Sequence, residues 1–131
     1  MKRKCKPIIS SKDGKRAIFI DEDNYEEIKA YLFQDDRHKK KFKFISDIIL
    51  GCHKNPDVYD KEDIDDSCKD VTAMKFFKGQ ENDRIYCKEI TTSDGTFVVV
   101  AAILLEKKKT KKLTPIQKSI IQTVGGYQYE I

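Results

Sequence analysis

Apolar and polar positions along the first half of the chain follow two different periods. The run from Ala17 to Ile20 predicts a strand, and Lys6 to Ser10 predicts a weaker partner strand, because Pro7 favours an edge position. Residues 24–34 and about 37–52 carry apolar residues at helical spacing, which predicts two successive amphipathic helices. The apolar stripe of the second helix comprises Phe42, Ile45, Ile49 and Cys52.

The second half of the chain predicts a meander of three strands. Val71 to Gly79, Asp83 to Ile90 and Phe97 to Leu105 are strand-like runs separated by turn-forming residues, including the dipeptide Asp94-Gly95. The third run is almost continuously apolar. It therefore predicts a central strand that is buried on both faces.

The middle strand of the meander alternates in character. Ile85 and Cys87 are expected to point into a core, and Arg84, Tyr86 and Lys88 are expected to share the opposite face. This second face would be available for function. The alternative is an ordinary solvated strand face.

The last helix is predicted to begin at Thr114-Pro115 and to end at Gly125-Gly126. Residues 127–131 alternate and predict an edge strand or a segment that crosses the sheet. The element order is β(β)-α-α-β-β-β-α, which predicts an α+β fold with a small antiparallel sheet and helices packed on one face. All 131 residues would form a single domain, with residues 1–16 as a basic N-terminal extension or hairpin arm. The buried stripe of the last helix comprises Ile116, Ile120, Ile121 and Val124.

The net charge of +4 is unevenly distributed along the chain. Residues 1–66 contain 15 basic and 15 acidic side chains, whereas residues 67–131 contain 11 and 7. This asymmetry indicates a surface that faces a polyanion, or simply a solvated face. The acidic stretch from Lys61 to Asp70 is expected to be a mobile connector, which either shields a basic site or keeps the protein soluble.

The four cysteines are not spaced as metal ligands, and no apolar run is long enough to cross a membrane. No apolar stretch follows the basic first residues, as it would in a signal peptide. We therefore expect a cytoplasmic protein with reduced cysteines and no metal.

Four segments resemble motifs of the RelE/ParE/HigB superfamily of bacterial toxins, over roughly residues 17–124. The strand from Ala17 to Ile20 leads into an acidic helix, as in that family. Lys75-Phe76-Phe77-Lys78-Gly79 resembles the lysine-rich start of its sheet, and Asp83-Arg84-Ile85-Tyr86 resembles its tyrosine-arginine-isoleucine strand. Leu105-Glu106-Lys107-Lys108, with Thr114-Pro115, resembles its basic strand end and helix start.

The resemblance implies the toxin of a type II toxin–antitoxin system, an endoribonuclease that cuts mRNA in the ribosomal A site and is silenced by a cognate antitoxin protein. It implies no membrane partner, no metal and no small-molecule cofactor. Arg84 matches the central arginine of the family, and Tyr127 or Tyr129 would supply a proton-donating acid from the tail. The lysines implied in RNA binding are Lys75, Lys78, Lys107, Lys108, Lys109, Lys111 and Lys112.

The face predicted on the middle strand has the residue types that RNA cleavage requires. Arg84 can place a forked pair of donors on a phosphate and stabilise the transition state. Lys88 is the predicted base, because a neighbouring cation lowers a lysine pKa, and Glu89 is an alternative base on the opposite face. Tyr86 would stack on a base or donate a proton, or would be a half-buried structural aromatic.

A non-enzymatic role remains the alternative. The ParE branch of the family inhibits DNA gyrase and lacks the nuclease residues. This chain has no clear match to the aromatic or histidine that the family carries on its last helix. A gyrase inhibitor or a nucleic-acid-binding module of the same fold is therefore the second hypothesis.

Overall fold

The structure is a computed structural model that describes residues 2–62, 64–106 and 115–131. Within these ranges the chain forms a mixed α+β fold, with seven strands in one curled sheet and three α-helices. The strands are β1 (Arg3–Ser10), β2 (Arg16–Asp21), β3 (Tyr59–Lys61), β4 (Val71–Phe76), β5 (Asp83–Thr91), β6 (Phe97–Leu105) and β7 (Tyr129–Glu130). The helices are α1 (Tyr25–Leu32), α2 (Asp36–Leu50) and α3 (Pro115–Gly125).

The strands lie in the order β3-β4-β5-β6-β2-β1-β7. The predicted meander is present, because β4, β5 and β6 pair antiparallel in succession. The sheet as a whole was predicted to be antiparallel, and this prediction is wrong because the sheet is mixed. β2 lies parallel to β6, and β7 lies parallel to β1. Parallel neighbours require long connections, and the one between β2 and β6 contains two helices and three other strands.

The N-terminal hairpin is an integral part of the sheet. β1 and β2 pair antiparallel, as predicted, and the register shifts by one residue between Pro7 and Ile9. β7 covers the outer edge of β1 only at Arg3 and Lys4. Beyond that point, the absence of an N–H on Pro7 and the local irregularity protect the edge against pairing with another chain.

The helices cover both faces of the sheet, so the prediction that they pack on one face is wrong. α1 and α2 enclose the larger core together with side chains of β2, β4, β5 and β6, including Ile85 and Cys87 as predicted. α3 packs on the opposite face through Ile121 and Val124. The reason is that β6 is apolar on both faces, so each face must be covered to exclude water. The side chains buried under α3 are Cys68, Val71, Ala73, Tyr86 and Ala102.

Two predicted stripe positions are not buried. Ile116 is 68% exposed, and Gln117 takes its place in the stripe of α3 with 3% exposure. Gln117, Ile121 and Val124 are spaced by four and three residues, which keeps them on one face of a helix. Cys52 is exposed because α2 ends at Leu50, before the predicted stripe does. The predicted cap Thr114 lies outside the described residues.

Replacing Ile121 by alanine tests the packing of α3. The side chain is fully buried, so we expect Ile121→Ala to lower the free energy of unfolding by about 2–5 kcal/mol. Ile116→Ala, the same change at an exposed position of the same helix, should alter it by less than about 0.5 kcal/mol. Urea denaturation of both variants gives the two values. Equal effects would contradict the packing of α3 on the sheet.

Candidate functional site

Cationic side chains from two adjacent strands meet on the sheet face that α3 covers. Lys75 on β4 lies directly opposite Arg84 on β5, and Val71 lies opposite Lys88. Directly opposed residues on one face have Cβ atoms about 4.5–5.5 Å apart. The register therefore places Lys75, Arg84, Tyr86 and Lys88 on one continuous surface.

Arg84 forms an ion pair in the interior of this surface. Its Nη1 donates to Oε1 of Glu62 at 2.5 Å, and the two side chains are only 12% and 11% exposed. Glu62 follows β3, and its backbone N–H donates to the carbonyl of Val71 at 2.8 Å. Arg84 is thus largely shielded from solvent, and it pairs with the carboxylate of Glu62.

Tyr86 lies beside this ion pair and is fully buried. Burial raises the pKa of its hydroxyl to about 12, against the opposing effect of the Arg84 charge. The phenol is therefore protonated at neutral pH. Neither the Tyr86 hydroxyl nor Nε of Arg84 makes a hydrogen bond of good geometry with a residue that the structure describes, although the two side chains interact with each other. An acceptor placed here could engage both groups.

Lys88 joins β5 to the end of α3. Its Nζ donates to the carbonyl of Gly125 at 2.7 Å and lies 3.5 Å from a carboxylate oxygen of Asp70. A cation is favourable at the C-terminus of a helix, where the carbonyl groups carry partial negative charge. This position gives Lys88 a clear role in holding α3 against the sheet.

Lys75 has the lowered pKa that was predicted for Lys88. Burial lowers the pKa of its ammonium, and the neighbouring Arg84 lowers it further. Its Nζ donates to the carbonyl of Pro56 at 3.0 Å. The resemblance implied only RNA binding for Lys75. Its cross-strand position opposite Arg84 depends on the β4–β5 register, which the turn at residues 77–82 determines.

The remaining predicted RNA-binding lysines lie near this surface or outside the described residues. Lys78 is exposed and forms a 3.0 Å ion pair with Asp57. Lys107, Lys108, Lys109, Lys111 and Lys112 lie outside the described residues. Leu105 on β6 lies directly opposite Arg84 on β5. The first of these lysines, Lys107, is two residues after Leu105 in the sequence.

The two tail tyrosines belong to another part of the sheet. Tyr129 is on β7, four strands away from β5, and its hydroxyl donates to Asp21 at 2.6 Å. The ring of Tyr127 lies 4.0 Å from the guanidinium of Arg3. Glu89, the alternative base, accepts a 2.7 Å hydrogen bond from the hydroxyl of Tyr59 and lines a separate cavity of about 440 Å³.

Residues 62 and 64–70, which we call the acidic strap, close the site from the side of α3. They include a short 3-10 turn at Asp66–Cys68, within the stretch that was predicted to be a mobile connector. The Cys68 thiol is fully buried and donates to the carbonyl of Ile121 at 3.7 Å. A Cβ atom on Gly125 would lie 2.7 Å from the carbonyl oxygen of Ser67, so α3 and the strap are in tight contact.

Glu62 and Asp70 were not predicted to be members of the site. Their only signal was the acidic composition of the segment between two strand regions, which fits either a shield or a solubilising surface. The side of the sheet on which that segment lies depends on β3, a strand of only three residues that no sequence pattern predicted.

No family model, curated protein or solved structure matches this chain. No helix in the described ranges is long and apolar enough to span a membrane. Within those ranges, histidine, cysteine, aspartate and glutamate side chains form no group of three or more arranged to hold a metal ion.

Adding a methyl group at Gly125 tests the contact between α3 and the acidic strap. We expect Gly125→Ala to lower the free energy of unfolding by about 1–3 kcal/mol, because the new Cβ would overlap the backbone of Ser67. Gly126→Ala is the matched control, since the nearest atom to its Cβ would be 3.5 Å away. Chemical denaturation compares the two variants. A Gly125→Ala protein as stable as the control would show that the strap yields to α3 at no cost.

Proposed function

We propose that this chain is the toxin of a type II toxin–antitoxin system and cleaves mRNA on the ribosome without a metal. The observation that carries the proposal is the pairing of Arg84 with Lys75 across two strands, together with the lowered pKa of Lys75. A lysine of lowered pKa can act as the general base in RNA cleavage, and a neighbouring arginine can stabilise the charge on the phosphate. The order of α1, α2, the β4–β6 meander and α3 supports it, with β1, β3 and β7 as additions to the toxin core.

Each proposed step uses one side chain of the surface. Lys75 in its neutral form accepts the proton of a ribose 2′-hydroxyl, and the 2′-oxygen then attacks the adjacent phosphorus. Arg84 stabilises the charge that accumulates on the phosphate oxygens. The bond from phosphorus to the 5′-oxygen breaks, and Tyr86, which is protonated at neutral pH, gives its proton to that oxygen. Lys88 holds α3 in place.

The lysines at the end of β6 would bind the RNA backbone. Lys107, Lys108, Lys109, Lys111 and Lys112 follow the strand position next to Arg84, and Lys78 is exposed after β4. Contacts of this kind position a nucleic acid without reading its sequence. They would also form part of the surface that an acidic antitoxin segment covers.

One observation favours a second function, which is non-enzymatic binding. Arg84 is closed off by Glu62, so the surface as it stands presents little of its catalytic charge to solvent. Controlled expression in bacteria with mapping of mRNA 5′ ends separates the two functions. Cuts within translated reading frames support the nuclease, whereas DNA damage with intact mRNA supports a gyrase inhibitor.

The arginine tests the nuclease directly. Arg84→Ala should reduce the rate of mRNA cleavage on ribosomes by about 10²–10³, because a charged donor to the transition state is lost. Arg37→Ala is the matched control: Arg37 also pairs with a glutamate, at 2.8 Å, but on the exposed surface. It should cleave at the normal rate. Because Arg84→Ala also leaves Glu62 unpaired, circular dichroism must show that the variant is folded. Arg84→Lys is a second variant, which keeps the positive charge but loses the two parallel donors of the guanidinium. Full cleavage by both Arg84 variants would refute the assigned role.

The pH dependence of cleavage tests the base. The pKa of Lys75 is lowered in the folded protein, and only the neutral amine accepts a proton. Single-turnover cleavage should therefore increase as the pH rises through this lowered pKa and should level off below the pKa of an ordinary lysine, about 10.4. Lys75→Arg, which stays charged, should remove the increase and the activity together. If the same rise persists in Lys75→Arg, the base is another residue, and Lys88→Arg is the next variant to measure.

A further inference from the structure

We propose that Glu62 is a built-in competitor of the RNA phosphate, and that the acidic strap must release Arg84 before substrate can bind. This inference rests on the proposed function, because it regulates the same site. It predicts a protein whose resting state is closed.

The contact between Glu62 and Arg84 has the chemistry of substrate binding. A carboxylate and a phosphate both present oxygens that a guanidinium binds through charge-assisted hydrogen bonds. Oε1 of Glu62 lies 2.5 Å from Nη1 of Arg84, so one carboxylate oxygen already occupies the position of a phosphate oxygen. Both side chains are nearly buried, so a phosphate can reach the guanidinium only by displacing the carboxylate.

The carboxylate satisfies the site incompletely. Nε of Arg84 and the hydroxyl of Tyr86 are buried and make no hydrogen bond of good geometry among the described residues, although the two side chains interact with each other. Buried donors of this kind are rare, and each one carries a cost in free energy. A phosphate has more acceptor oxygens than a carboxylate and could serve both donors as well as Nη1. The carboxylate therefore leaves donors unsatisfied that a phosphate would satisfy.

The strap places a second carboxylate on the same surface. Asp70 lies 3.5 Å from Nζ of Lys88, two residues along β5 from Tyr86. Two acids of one segment thus neutralise the two cations that β5 directs to this face. Release of the strap would leave both positive charges without their carboxylate partners and would raise the attraction of the surface for a polyanion.

A purely structural counter-ion makes the opposite prediction for one measurement. If Glu62 only neutralises a buried arginine, its removal weakens the folded protein and disorders the site, and phosphate binding falls. If Glu62 is a competitor, its removal increases phosphate binding even though stability falls. The sign of the change in affinity therefore separates the two roles.

The test compares Glu62→Gln with Glu81→Gln in the full chain. Glu81 pairs with Arg37 at 2.8 Å on the exposed surface, so the control removes the same charge from the same type of ion pair. Calorimetric titration with inorganic phosphate and with a 2′-O-methyl oligoribonucleotide, which cannot be cleaved, gives the affinities. If the open state is populated below about 10%, Glu62→Gln should bind both probes about tenfold more tightly than the unmodified protein. Glu81→Gln should leave both affinities unchanged.

Unchanged or weaker binding of phosphate by Glu62→Gln would overturn the proposal. Tighter binding of phosphate without tighter binding of the oligoribonucleotide would overturn the assignment of the site to RNA. Glu62→Asp retains the charge but shortens the side chain and weakens its contact with Arg84, so it replaces Glu62→Gln if that variant does not fold, with Glu81→Asp as its control. Phosphate affinity is measured without catalysis. If Glu62→Gln binds both probes more tightly but the protein does not cleave mRNA, the proposed nuclease function is rejected, and the role of Glu62 as a competitor is supported.

Discussion

The burial of β6 on both faces is the constraint on which the rest of the structure depends. Residues 98–102 are at most 1% exposed, on both sides of the strand. A strand of this kind must be paired at both edges and covered by apolar side chains above and below. β5 and β2 supply the edges, and α1 and α2 supply one cover. On the other face, α3 packs over Ala102, and Tyr129 packs against Val98 and Val100. The positions of α3 and of the C-terminal tail follow from this requirement.

The position of α3 determines the electrostatics of the candidate site. Because the helix covers the face of β5 that carries Arg84 and Lys88, both cations lose most of their water. A charge in this environment must be paired, and Glu62, Asp70 and the last carbonyl of α3 provide the partners. Burial and the neighbouring Arg84 charge also lower the pKa of Lys75. The packing of α3 thus decides which charges on this face need a partner from the protein.

Local patterns predicted the elements of this fold better than their arrangement. The turn dipeptides and the two hydrophobic periods give the meander, the hairpin and all three helices, and alternation along β5 gives the residues that share a face. These local patterns do not show whether α3 covers that face of β5, because the sequence does not specify the path of the chain between β5 and α3. β3 and β7 have three and two residues, too few for a pattern to emerge, and Gln117 fills an apolar stripe that Ile116 was expected to fill. Glu62 became part of the site through β3, so it was missed for the same reason.

A comparison of two buried charges shows why the Arg84 site differs from ordinary structural pairing. Asp21 is fully buried and accepts hydrogen bonds from the Arg3 guanidinium at 2.8 Å and from the Tyr129 hydroxyl at 2.6 Å, so the arginine, the tyrosine and the acid satisfy one another. The Arg84 site has the same three kinds of group, but Nε of the arginine and the hydroxyl of Tyr86 make no hydrogen bond of good geometry among the described residues. Each unsatisfied buried donor costs about 1–3 kcal/mol. The hydrogen bonds among arginine, tyrosine and acid are therefore complete at Asp21 and incomplete where Arg84 and Lys75 meet. Local conflicts of this kind concentrate at functional sites.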